Sequence, residues 1–195
     1  VNSVIKNGLI LDQGFQVMLD AYPAVHEFLD VEALKLRKFV PGSIIFKDGK
    51  SYRLGDASRD YSFLWSTLVA GVGSLKDKWL VFSLSRKLKQ KTLQEVFASP
   101  ETTTKTYLEE YGFSQKMITS FFTPFYAGIF LETELATSSR MFEFVFKMFT
   151  EGNATIPAGG IKAIPEQLAS KLTAGSIQLK QKVTNVLGNE ITLEN

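Results

Sequence analysis

IPAGGIKAIPEQLASKL, residues 156–172, leads through Gly175 into IQLKQKV, residues 177–183, and this succession of turn, helix and strand decides how the rest of the chain is read. Gly159 and Gly160 permit positive backbone angles and close approach of another backbone, so the chain turns sharply there. Pro165 suits a first helical turn, Leu168 and Leu172 recur at i and i+4, and Gly175 is placed to terminate. This spacing predicts a short helix over about 164–173. Ile177, Leu179 and Val183 then alternate in part as a strand, and Gly188-Asn189 marks a turn before Ile191 and Leu193, which predicts a closing hairpin. On pattern alone the segment is also describable as an ordinary helix-hairpin packing unit, because glycine pairs before helices are common.

Working outward, the first dozen residues read as a second hairpin, with Val4 and Ile5, a turn at Asn7-Gly8, and residues 9–11 on the return. Helical spacing is expected through Val17, Met18 and Leu19, interrupted by Pro23 and resumed to Leu29. Leu34, Leu36, Phe39 and Val40 suggest a strand, and residues 43–46 with 50–54 a hairpin closed by Asp48-Gly49. From Tyr61 to Thr150 the signals are helical. Ser74 is placed as an N-cap, Thr92 and Glu95 have the spacing of a capping box, and Ser99-Pro100 is expected to start a helix that Gly112 ends. Ser114 opens the next, which is expected to stop at Pro124. Ser138 or Ser139 caps another in which Phe142, Phe146 and Phe149 share a face. Strand-rich ends around a helical block predict that residues 1–16 and 155–195 belong together in space.

Composition narrows the function classes. The 195 residues are enough to bury a sizeable core, and 45% hydrophobic with 22% charged residues is the balance of a folded globular protein. A net charge of +2, spread along the chain, argues against a nucleic-acid partner. With no cysteine there are no disulfides, thiolate nucleophiles or cysteine-bound metals, which fits a reducing cytoplasm. No signal peptide is visible, and the uncharged runs 61–75 and 117–131 fall short of the ~20 apolar residues that span a bilayer. His26 is the single histidine, so histidine triads and multi-histidine metal sites are excluded, and no metal is expected.

The segment 156–183 resembles the superfamily of flavin-dependent amine oxidases, phytoene desaturases and protoporphyrinogen oxidases, and the resemblance extends over nearly the whole chain. NGLILDQGFQ, residues 7–16, is similar to that family's dGf-x-hD-x-G element, which brings backbone to the flavin ring. The resemblance thus implies Gly14, Phe15 and Gln16 as cofactor-binding positions. Val183 matches the valine whose backbone amide and carbonyl meet the adenine. TPFYAGIF, residues 123–130, and SSRMF, residues 138–142, are similar to stretches of the substrate domain. The implied fold is α+β: a mostly helical substrate-binding lobe with a small mixed sheet over residues 17–154, and β-hairpin remnants of an FAD-binding domain at 1–16 and 155–195. The implied activity is oxidation or desaturation of a small hydrophobic substrate by hydride transfer to FAD.

Two departures from the family pattern bear on that expectation. No G-x-G-x-x-G fingerprint occurs; the nearest string, Gly71-Val72-Gly73, has Lys76 where the third glycine should stand. The C-terminal segment that closes over the flavin in the family has no counterpart here. The chain therefore reads as an internal piece of a longer enzyme, one expected to hold FAD weakly or not at all by itself. Its parent reading frame is expected to encode the fingerprint about 30 to 40 residues before Val1.

Several constellations have two readings. Phe121, Phe125, Phe142 and Phe146 could line a pocket for a flat, greasy substrate, or form the core of the helical block. Glu132 and Glu134 could act as an acid and base, or simply be solvated loop residues. The acidic pair Asp12 and Asp20 offers nothing stronger. Lys76, Lys78, Arg86, Lys87, Lys89 and Lys91 surround Trp79 on one helix, either as a charged outer face or as a peripheral contact with an anionic membrane. The alternative to an enzyme is a non-catalytic domain that binds hydrophobic ligands or membrane surfaces through these helices.

Overall fold

The computed structural model describes residues 2–14, 17–47, 49–55 and 72–194, and these form an α+β protein of helices and small sheets. The chain divides into two compact units. One gathers residues 1–16, 24–36 and 156–195; the other holds 17–23 and 37–155. Residues 24–36, read from the sequence as part of the central lobe, go with the first unit.

In the first unit, β1 (Asn2–Lys6) and β2 (Leu9–Gln13) pair antiparallel across the Asn7-Gly8 turn. Helix α1 (Pro23–Phe28) begins at Pro23, where its missing N–H costs nothing, so the proline starts this helix instead of interrupting one. Asp30 then caps α2 (Val31–Leu34) by accepting from the Ala33 N–H at 3.0 Å, and Lys35 ends it in the left-handed region. These local bonds convert the stretch read as a strand around Leu34 into a helical turn. Helix α9 (Ala163–Ser170) is stitched to this segment by reciprocal bonds between Gln167 and the Asp30 backbone, at 2.9 and 3.0 Å, and by Lys171 donating to the Phe28 carbonyl at 2.6 Å.

The closing hairpin forms from β8 (Val183–Leu187) and β9 (Glu190–Leu193). Residues 177–182 are not a strand, contrary to the alternation of Ile177 and Leu179. No neighbouring strand pairs with them among the described residues, and Lys180 adopts a φ of 61°. Of the described apolar residues in this unit only Val25, Leu34, Pro157 and Ile161 are buried, whereas Leu179, Ile5 and Leu187 are 80, 74 and 73% exposed.

The second unit carries the core. Its sheet has the order β3 (Met18–Leu19), β7 (Ala154–Ile156), β4 (Arg37–Lys38), so residues 18–19 are strand and not the predicted helix. The reason is non-local: Met18 and Leu19 pair with Thr155 and Ala154, and the Asp20 carboxylate accepts from the Asn153 backbone N–H at 2.5 Å. The hairpin of β5 (Gly42–Lys47) and β6 (Lys50–Gly55) keeps the predicted register from Gly42 opposite Gly55 to Lys47 opposite Lys50; Asp48 of its turn lies outside the described residues.

Helix α3 (Leu75–Gln90) buries Leu80, Leu84 and Leu88, and α4 (Leu93–Ala98) follows with the predicted Thr92–Glu95 capping box. Helix α5 (Thr104–Tyr111) starts at Thr103, not at Ser99-Pro100. Thr104 donates from its backbone N–H and its hydroxyl to the Thr137 carbonyl, at 2.8 and 2.7 Å, which fixes the start four residues later. Gly112, at φ 97°, ends it as expected. Ser114 caps α6 (Gln115–Met117), which continues through a π-helical turn, Ile118–Phe122, into α7 (Thr123–Phe130). Pro124 does not stop this run. The Thr123 N–H reaches back to the Ile118 carbonyl, and the widened turn absorbs the donor that the proline lacks.

Helix α8 (Ser139–Glu151), capped by Ser138, packs Phe142, Val145, Phe146 and Met148 inward along with Glu143 and Lys147. Both buried charges are answered. Lys147 donates to the Leu88 and Lys89 carbonyls at the end of α3, at 3.0 and 3.3 Å, and to Glu151; Glu143 accepts from Lys91 at 2.8 Å and from the Tyr107 hydroxyl at 2.7 Å. Burial, and then the Glu143 carboxylate, push the Tyr107 hydroxyl well above its ordinary pKa, so it stays a donor.

The start of α3 and the start of α6 share one carboxylate. Buried Asp77 accepts from the Ser74 N–H and hydroxyl at 2.6 and 2.7 Å, and from the Ser114 N–H and hydroxyl at 2.7 and 2.8 Å. Burial opposes its ionisation, but the bonds from Ser114 and Ser74 outweigh it and hold the carboxyl below the usual range. A carboxyl depressed by folding contributes stability above its unfolded pKa of ~3.9 and loses it as pH falls through the lower folded value. Asp77→Ala should therefore cost about 2–4 kcal/mol in urea denaturation at neutral pH. The gap between the native protein and Asp77→Asn should narrow as pH falls below that unfolded pKa; a gap constant with pH would contradict this role for Asp77.

Candidate functional site

Residues 43–46 of β5 and the π–α7 run enclose a cleft of about 560 Å³ in the second unit. The helical wall is formed by Thr119, Ser120, Phe121, Pro124 and Phe125. Two adjacent i,i+4 aromatic pairs on this run differ in burial. Phe122 and Tyr126 are buried in the core, while Phe121 and Phe125 stack at 5.6 Å with rings 12° from parallel and line the cleft. Phe125 is braced from behind by Phe149, 5.4 Å away and edge-on. Burial raises the Tyr126 hydroxyl far above its ordinary pKa, so no charge forms beneath the aromatic floor.

Among the described residues that line the cleft there is no carboxylate, ammonium or guanidinium. Its polar groups are the hydroxyls of Ser43, Thr119 and Ser120, and the Thr119 hydroxyl donates to the Gln115 carbonyl at 2.9 Å, leaving an oxygen that accepts. Such a wall suits an uncharged, flat, largely apolar molecule held by stacking and one or two hydrogen bonds. Phe142 and Phe146 lie elsewhere. Phe142 sits 5.0 Å from the Tyr126 ring and 6.0 Å from Phe122 inside the core, with Phe146 beside it, so both support the cleft wall from within.

The first unit contains a tight junction at the glycine pair. Asp12 accepts from the Ser3 hydroxyl and from the Ile161 N–H at 3.1 Å, and Ser3 in turn accepts from the Lys162 N–H at 3.1 Å. Gly160 lies at φ 84°, and a Cβ there would stand 2.7 Å from Ser3 Oγ and 2.8 Å from Asp12 Oδ1. Gly159 has room: its nearest contact is Ala163 Cβ at 3.5 Å. The second glycine is thus required by the β1–β2 hairpin pressing on the loop. Asp12 and Asp20, paired in the sequence as acids, instead anchor separate backbones.

Of the cofactor positions implied by resemblance, Gly14 follows β2 at φ 79°, with nothing within 4 Å of a Cβ placed on it. Val183 opens β8 opposite Leu193, beside a register shift, and is about half exposed. Phe15 and Gln16 lie outside the described residues. His26 is exposed on α1. Desolvation opposes ionisation of Glu132, yet bonds from Thr137, Ala136 and Glu134 hold its carboxyl below the ordinary range, so it caps its own loop and does not pair with Glu134 as an acid and base. No cluster of three metal-ligating side chains occurs among the described residues.

Sequence reasoning missed three of these features. The shared carboxylate Asp77 was hidden because Ser114 lies 37 positions away. The π turn carries no composition signal. The hydroxyls in the cleft wall are residue types too common on helices to single out. Compared with known families, residues 1–193 match the one described as flavin containing amine oxidoreductase. No curated protein and no solved structure matches the chain significantly.

The two glycines of the 159–160 pair should respond differently to the same substitution. Gly160→Ala should lower stability by on the order of 2 kcal/mol or more, through positive φ and collision with Ser3, while Gly159→Ala should stay within about 1 kcal/mol. Paired thermal melts compare the two; equal losses would dissolve the junction described above.

Proposed function

The chain belongs to the flavin-containing amine oxidoreductase family, and from that premise we propose that it forms part of an FAD-dependent oxidoreductase whose cleft, walled by Phe121 and Phe125, receives the substrate. The observation that carries this reading is the cleft itself. A stacked aromatic wall with no charged side chain among the described lining residues favours an uncharged molecule over a free amine cation, which would ask for an acidic anchor or a ring cage. Flavin, when bound, supplies the acceptor for a hydride from the substrate. This chain's residues then serve to bind, to orient and to exclude water: Phe121 and Phe125 by stacking, Thr119 and Ser43 by accepting or donating one hydrogen bond.

The first unit fits the flavin dinucleotide at its margins only. Gly14 presents unobstructed backbone and Val183 lies on an accessible strand, but the sequence has no G-x-G-x-x-G loop to cradle the pyrophosphate. Exposed Ile5, Leu9, Leu179, Val186 and Leu187, against four buried apolar side chains, support the reading that this unit is completed by further strands of an FAD-binding domain. We therefore assign the unit of residues 1–16, 24–36 and 156–195 to the nucleotide-bearing layer and that of 17–23 and 37–155 to the substrate lobe.

Two measurements test this reading. Equilibrium dialysis of the 195-residue protein against FAD should show weak binding or none, and a stoichiometric yellow complex would refute the absence of a pyrophosphate cradle here. Separately, Phe125→Asp should weaken binding of an uncharged hydrophobic fluorophore such as Nile red by about tenfold or more, the scale of burying a charge against an aromatic wall. Unchanged affinity in a variant with a native circular dichroism spectrum would remove the cleft from the substrate role.

A further inference from the structure

Helix α3 presents two apolar faces, and only one of them is used by the core. Leu80, Leu84 and Leu88 are buried, but Leu75, Trp79 and Phe82 are 69, 64 and 55% exposed. At 100° per residue these three, spaced i, i+4, i+7, fall in one outward stripe that Arg86 extends. Lys78 and Lys89 border the stripe on one side, Lys76 and Lys87 on the other, with the Lys87 ammonium 5.4 Å from the Tyr111 ring centre. The one acid of the helix, Asp77, is buried on the opposite side and bound to Ser74 and Ser114. Among the residues of α3 itself, this side therefore carries Arg86 and flanking lysines, of which Lys87 also sits over Tyr111, together with three large apolar side chains and no acid.

We propose that this face of α3 is a docking surface for an anionic lipid bilayer, lying parallel to the membrane with Leu75, Trp79 and Phe82 inserted at the headgroup boundary. Charge complementarity selects this occupant. A second copy of the same face would set like charges against like charges, which disfavours that pairing. A bilayer rich in anionic headgroups instead meets the basic borders while its acyl boundary covers the stripe, and an indole is suited to that polar-apolar junction. The helix is held firmly enough to present this face as a rigid unit, with its start clamped by Asp77, its end by Lys147, and its inner face by the core. No helix among the described residues is long and apolar enough to cross a membrane, so the contact is peripheral.

Co-sedimentation of the full chain with phosphatidylcholine vesicles, with and without about 30% phosphatidylglycerol, tests the proposal. Binding should be at least about tenfold stronger with the anionic lipid and should fall steeply between about 50 mM and 0.5 M salt. In a Trp65→Phe background the remaining Trp79 emission should shift to shorter wavelength on binding. Trp79→Ser with Phe82→Ser, both exposed and outside the core, should reduce binding about tenfold without changing the melting temperature; Lys76→Glu with Lys89→Glu should do the same. Absent binding, equal binding to neutral vesicles, or binding unaffected by the Trp79 and Phe82 substitutions would overturn the proposal. So would a concentration-dependent dimer that those substitutions abolish, since a second copy would then own the surface.

Discussion

The second unit depends on a single carboxylate. Asp77 accepts four hydrogen bonds from Ser74 and Ser114, and in doing so joins the first turn of the longest helix to the first turn of the π-containing run. Both helix starts expose backbone N–H groups and the positive end of a dipole, so one buried negative charge satisfies donors and field together. Everything that lines the cleft from the helical side follows within a dozen residues of Ser114. The depth and direction of that wall are therefore set by where Asp77 holds the chain.

Charge is handled in the same way at the other end of α3. Its last carbonyls receive the buried Lys147 ammonium, and the cap residue Lys91 reaches Glu143, which is also bonded by Tyr107. Helix α8 thus meets α3 through paired charges as well as phenylalanine packing. Among the described residues no buried side-chain polar atom lacks a partner. Such fully satisfied pairs fix one arrangement of helices where an aromatic core alone would tolerate several. The first unit has no comparable interior. It is held by hydrogen bonds among hairpin, loop and α9, with four described apolar side chains buried.

What could be read from the sequence was whatever is decided locally. The caps at Ser74, Thr92, Ser114 and Ser138, the stop at Gly112, and the hairpins at Asn7-Gly8 and Gly188-Asn189 all depend on neighbours within a few residues. The failures are places where distant residues decide. Met18 and Leu19 are strand because Ala154 and Thr155 lie beside them; α5 starts late because Thr137 takes the donors of Thr104; Pro124 is carried inside a helix by a π turn that no periodicity announces. At the cleft, the aromatic group was recognisable as a set, but nothing in an i,i+4 pattern separates Phe121 and Phe125 on its wall from Phe142 and Phe146 in the core. That division is made by β5, far away in the chain, which lines the same cleft as Phe121 and Phe125.

The π turn at Ile118–Phe122 has a consequence for how this lobe varies. A π turn is an α-helix with one surplus residue looped into it, so the flanking helical segments keep the alignment they would have without it. Loss of that residue would flatten the wall while leaving Met117 on one side and Tyr126 on the other pointed at the same core. The shape of the cleft is thereby uncoupled from the fold of the helices around it, and a change of chain length by one is enough to redraw the recess without rebuilding them.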